Sequence, residues 1–168
     1  YWSVNNKLIT SGTLDVSAGE LTASFYRSGG VSELFLTGDA ATDTEEYDDH
    51  VVVHEWGHYF EDVLARTDSI GGPHAVGDRL DARLAFGEGW ATALSGIALE
   101  NQLYCDTNFG GGGFGIGTED GSYDARGWYD EISVLRFLYD MFDEGTDDGT
   151  DNVRVVCRVH ADKVVWHG

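Results

Sequence analysis

Residues 49–66 repeat their apolar side chains at helical spacing, and no other pattern in the chain limits its fold as much. At about 100° per residue, Val52, Val53, Trp56, Phe60, Val63 and Leu64 fall within an arc of roughly 120°. His54 and His58 lie on the opposite side, kept apart from the apolar residues. Such a helix is expected to bury its aromatic and aliphatic face and to turn His54, His58, Glu55 and Asp62 towards a cleft. Asp48 or Asp49 supplies the N-cap, and the carboxylates beside it suit the positive end of the helix.

Within this helix, His54-Glu55-Trp56-Gly57-His58 forms an H-E-x-x-H motif. The two histidines stand about 40° apart and one turn apart, so both imidazoles can converge on one ion. Glu55 lies about 60° round from His58, off the ligand direction but within reach of a water on the metal. A zinc ion held by two His needs at least one more protein ligand and an open position for catalysis. A second helix, starting near 80 or 86 and running to 100, carries Phe86-Gly87-Glu88-Gly89-Trp90-Ala91-Thr92. Glu88 opposes Trp90, Leu94 and Ile97 on its wheel, so two helices packed face to cleft would build a His54-His58-Glu88 site.

The remaining chain suggests an α+β fold with N-terminal antiparallel strands, an active-site helix and further helices. Residues 1–38 are strand-rich: Leu21, Ala23 and Phe25 alternate, a Ser-Gly-Gly turn follows at 28–30, and 31–36 forms a second apolar run. That second run is expected to be the cleft rim that pairs with an extended substrate. The helical part covers 45–142 and ends in a helix over about 129–142, while Gly-rich 105–122 reads as a loop. An acidic loop and a strand-like tail with alternating Val153, Val155, Cys157 and Val159 fill 143–168. All of this reads as one domain over 1–168.

Lys and Arg number 10 against 30 Asp and Glu, a formal charge of −20. That surface repels phosphate backbones and anionic membranes, which argues against nucleic-acid binding. No apolar run approaches the roughly 20 residues of a spanning helix, so membrane insertion is not expected. The chain starts at Tyr1 without an initiator Met or leader, which suggests a processed product or a fragment. The acidic bias, with one Pro and 23 Gly, leans towards a secreted or extracytoplasmic setting, where Cys105 and Cys157 could pair.

The H-E-x-x-H helix followed by the Gly-Glu-Gly-Trp-Ala helix resembles the gluzincin group of zinc metallopeptidases, the thermolysin-like and aminopeptidase-like enzymes. The resemblance covers about 45–100, with a looser likeness over 129–142, and is nearest to small, uncharacterised bacterial members. It implies Zn2+ held by His54, His58 and Glu88, with Glu55 as general base, and a peptide or protein substrate. Thr92 stands where thermolysin has Asp, four residues after the ligand Glu, which leaves open what orients the first His. The alternative is a non-hydrolytic, metal-bound binding or adhesion module derived from a peptidase fold.

Several residues carry weaker signals. His74 follows Gly-Gly-Pro and reads as an ordinary loop residue, with a place lining the cleft as the alternative; His50 reads as an exposed first-turn residue, with a competing metal ligand as the alternative. An acyl-transfer site needs a donor for the developing oxyanion; Tyr129 is the best placed, with core packing as the alternative. Asp140, Asp143, Asp147, Asp148 and Asp151 read as a solvated acidic loop, with a Ca2+ site as the alternative, although the EF-hand pattern is not met.

Overall fold

The structure is a computed structural model describing residues 3–4, 7–8, 24–28, 32–38, 43, 45–108, 111–119 and 127–142. Its architecture is α+β, as expected. Three helices, α1 (Asp49–Leu64), α2 (Ala82–Leu99) and α3 (Glu131–Phe142), are joined by three two-stranded antiparallel sheets. The strands are β1 (Ser3–Val4) with β2 (Lys7–Leu8), β3 (Phe25–Arg27) with β4 (Glu33–Phe35), and β5 (Leu103–Asn108) with β6 (Gly112–Gly117). Among the described residues no helix is long and apolar enough to cross a membrane.

Helix α2 is the centre of the fold because it packs against both α1 and α3. Small residues make both seams. A Cβ on Gly57 would sit 3.0 Å from Ala91 Cα, and one on Gly89 would sit 2.6 Å from Val134 Cβ and 2.7 Å from the Glu131 carbonyl oxygen. Bare backbone at these two points lets the helices approach closely enough for their polar side chains to meet. Val51, Ala93, Tyr104, Ile116, Ile132 and Leu135 form the apolar core between helices and hairpin. The ends of α2 are well capped: the Asp81 carboxylate accepts from Arg83 N, and Glu100 takes the left-handed conformation at φ 51°.

Helix α1 turns the expected side towards the cleft but does not bury the expected stripe. Trp56, Val63 and Leu64 are 41%, 46% and 62% exposed, whereas His50, Val51, Glu55, Gly57 and Glu61 are buried. The polar side is the covered one, because α2 closes over it through the small-residue seam. Asp48 occupies the N-cap position, yet its carboxylate makes no cap bond and instead accepts from Thr107 N at 2.9 Å and Thr107 Oγ1.

The Gly-rich segment is a hairpin, not the expected loop. Tyr104 pairs with Ile116 and Asp106 with Phe114, so apolar side chains recur often enough to seat the ladder on the core. Gly111 and Gly113 supply positive φ at the turn, and a Cβ on Gly113 would strike the Asp106 carbonyl oxygen. The strand predicted over 31–36 is found as β4 and that around Phe25 as β3; Leu21, Ala23 and the turn glycines Gly29 and Gly30 lie outside the described residues. The tail at 143–168, with Cys157 and most of the acidic loop, also lies outside them, and Cys105 is half-buried.

Candidate metal centre

His54 and His58 leave α1 one turn apart and meet Glu88 from α2 across the seam. The Nε2 atoms of the two histidines are 3.1 Å apart, and each is 3.2 Å from Glu88 Oε2. His54, His58 and Glu88 thus form a cluster able to hold a metal ion, as their spacing in the sequence predicts. Three atoms each about 2.0–2.1 Å from one tetrahedral ion stand about 3.3–3.4 Å from each other, so the donor set fits a small divalent cation. The ligand atoms carry two nitrogens and one carboxylate oxygen, a combination suited to zinc.

Thr92, one turn beyond Glu88, supplies what the His54 ring needs. Its Oγ1 lies 3.0 Å from His54 Nδ1. Donation from Nδ1 to that oxygen leaves the lone pair on Nε2, aimed at the cluster, so the hydroxyl fills the orienting role that the sequence left open. Burial raises the Glu88 carboxyl, but hydrogen bonds from His54, His58 and His74 outweigh it and hold the group well below the ordinary range. Burial lowers the His58 imidazole, while its bond to Glu88 and the surrounding carboxylates lift it above its usual value. A proton on the His58 imidazole balances the buried carboxylate when no cation does; a divalent ion would displace it.

Glu55 is 7% exposed and lines the same cleft, and its Oε2 is buried without a hydrogen-bond partner. Burial pushes its carboxyl up, partly offset by the charges of His54 and His58. A carboxylate held out of water with one free oxygen, beside a candidate metal cluster, is suited to taking a proton.

The cleft encloses about 1210 Å³. Among the described residues its rim includes Ser24 and, from β3, Phe25 and Tyr26, whereas 32–36 of the run that the sequence suggested do not line it. Tyr26 is fixed there by donating to Asp62 at 2.6 Å. Two histidines also differ from expectation. His50 is 5% exposed; its Nδ1 lies 3.2 Å from Ser95 Oγ, and burial lowers its pKa, so it is a neutral core residue. His74 reaches into the cleft, because the Gly71-Gly72 turn folds the loop back over α2 and brings its Nε2 to 3.4 Å from Glu88 Oε2. Its imidazole is pushed up to about 9, chiefly by the bond to Glu88.

Tyr129 does not line the cleft. Its carbonyl accepts from Leu80 N at 2.9 Å and its ring lies under the Arg79 guanidinium at 4.3 Å, so it ties the loop to the start of α3. Asp140, placed with the acidic loop by the sequence, is a buried residue of α3. A separate acidic group is Asp43, Glu45 and Asp106, whose carboxylate oxygens lie within 4.8 Å of one another; Ser24 donates from both N and Oγ to Glu45 Oε2. Sequence reasoning missed Glu131, a buried first-turn residue of α3 that lines the cleft. Comparison with protein-family models, curated proteins and solved structures returns no match.

Proposed function

We propose that the chain is a zinc-dependent peptidase of the gluzincin kind, with His54, His58 and Glu88 as ligands and Glu55 as general base. The observation that carries this reading is the joint one: a His-His-Glu cluster that fits a small divalent cation, and next to it a buried carboxylate with a free oxygen. A structural zinc site is normally closed by four protein ligands and has no use for such a carboxylate.

Zinc bound there would supply Lewis acidity, polarising a carbonyl and acidifying a water at the open position. Glu55 takes the proton of the attacking water on its free Oε2 and then delivers it to the leaving amine, so it returns to its starting state each cycle. Burial helps both halves, since a raised carboxyl pKa lies closer to the working pH than an ordinary one. Thr92 holds the His54 ring in the ligand tautomer, and β3, which pairs only with β4 among the described residues, offers its other edge to an extended peptide along the rim.

Glu55→Gln tests the reading. The variant keeps shape and burial but cannot take a proton, so zinc content stays at the wild-type level and hydrolysis of a peptide library falls by about 10²–10⁴ or more. Hydrolysis retained in Glu55→Gln would contradict the mechanism. A wild type that binds zinc but cleaves no peptide would favour the binding-module reading.

A further inference from the structure

We propose that His74 and Glu131, sharing Glu88 with the first cluster, form a second divalent-cation site on the outer side of the cleft. The inference rests on reading His54, His58 and Glu88 as a metal centre, and it extends that centre from one ion to two. The loop before α2 and the first turn of α3 bring the new residues together. His74 Nε2 lies 3.4 Å from Glu88 Oε2 and 3.6 Å from Glu131 Oε2.

The orientation of His74 is fixed from behind. Its Nδ1 lies 3.1 Å from the Gly72 carbonyl oxygen. A carbonyl can only accept, so Nδ1 carries a proton, and a cation that displaces the second proton from Nε2 would meet a lone pair aimed towards the two carboxylates. Metal-binding histidines are anchored in this way, by donating the other ring N–H to a backbone carbonyl, and Thr92 does the equivalent for His54.

Glu131 supplies the independent sign of a missing ligand. It is 9% exposed, lines the cleft, and its Oε1 is buried without a hydrogen-bond partner. A buried carboxylate oxygen left unpaired is costly, and a cation is its natural counterpart. Neither Lys nor Arg lines the cleft among the described residues, while Glu55, Glu61 and Asp106 add further negative charge. One dication cannot balance that wall. The outer group is more open than the inner one: its three donors are not all within 4.8 Å of one another, so an ion there requires the Glu131 carboxylate to turn towards Glu88. Glu88 Oε2 would then be the corner common to both sites, the arrangement of carboxylate-bridged two-metal centres. One imidazole and two carboxylates suit Zn2+, Mn2+ or Co2+.

Equilibrium dialysis of the full chain against Zn2+ after chelator stripping tests the proposal. The wild type is expected to take up two zinc ions per chain, the second more weakly. His74→Ala and Glu131→Gln are each expected to keep the first ion and weaken the second by at least about ten-fold. Near-ultraviolet circular dichroism on each variant checks that the fold is kept, and the two substitutions lie on different elements, so both are not lost to one misfolding event. One zinc in the wild type, the result expected of a lone imidazolium between the two carboxylates, overturns the proposal. Two zinc ions unaffected by either substitution overturn it as well. Hydrolysis measured on the same samples separates the two readings: one zinc with hydrolysis removes only the second site, and two zinc ions without hydrolysis remove only the peptidase.

Discussion

Replacing Thr92 by valine keeps the shape of the side chain and deletes one oxygen, the one 3.0 Å from His54 Nδ1. With zinc bound, Nε2 must offer its lone pair, so Nδ1 is forced to carry a proton and needs an acceptor. Without zinc the ring is free to take the other tautomer and avoid the loss. The penalty therefore falls on the loaded state and reads out as affinity. The His54 side chain is only 14% exposed, so water cannot fully replace the hydroxyl. An unsatisfied buried donor costs about 1–3 kcal/mol. That agrees with the roughly 10- to 100-fold loss, about 1.4–2.8 kcal/mol, seen when orienting partners of metal ligands are removed. Competition of Thr92→Val with a chromophoric chelator for zinc measures it, and Thr92→Ser, which restores the hydroxyl, is expected to recover most of the affinity. Wild-type affinity in Thr92→Val would refute the claim that Thr92 orients His54.

Two further outcomes follow from the same geometry. Gly89→Ala places a methyl 2.6 Å from Val134 Cβ and 2.7 Å from the Glu131 carbonyl, so α3 must shift; overpacking costs about 1–3 kcal/mol, and the loss is expected to exceed the ~1 kcal/mol gained in helix propensity, lowering the thermal midpoint. For Asp106, burial first and then Glu45, Asp43 and Asp48 raise the carboxyl from 3.8 to about 6. The native state keeps that proton where the unfolded chain has released it, so stability falls as pH rises through this window. Asp106→Asn is therefore expected to melt above the wild type at neutral pH and to lose that advantage near pH 4; an equal gap at both values would count against the repulsion.

The helices and the inner cluster were legible because helical spacing is local: His54, His58 and Glu88 show their ligand side wherever the helices pack. Which side of α1 is buried was not legible. Hydrophobicity points to Trp56, Val63 and Leu64, but burial followed the small residues, with Gly57 against Ala91 drawing α2 over the polar side. The roles of His50 and His74 depend on contacts 45 and 14 positions away, to Ser95 and Glu88, which no periodicity records. The hairpin over 103–117 was hidden by its glycines, since only the alternating Tyr104, Phe114 and Ile116 mark it as strand. The Gly-Gly-Pro turn before His74 was a usable sign that the loop doubles back, whereas Glu131 starts an amphipathic helix, where the helix dipole alone favours a carboxylate.

The most direct test of the metal centre is the anomalous scattering of crystals of the zinc-loaded chain, collected on either side of the zinc absorption edge. A strong peak is expected between His54 Nε2, His58 Nε2 and Glu88 Oε2, with the Glu55 carboxylate beside it. Zinc found elsewhere, as on the Asp43, Glu45 and Asp106 group, with nothing between the two histidines and Glu88, would contradict it.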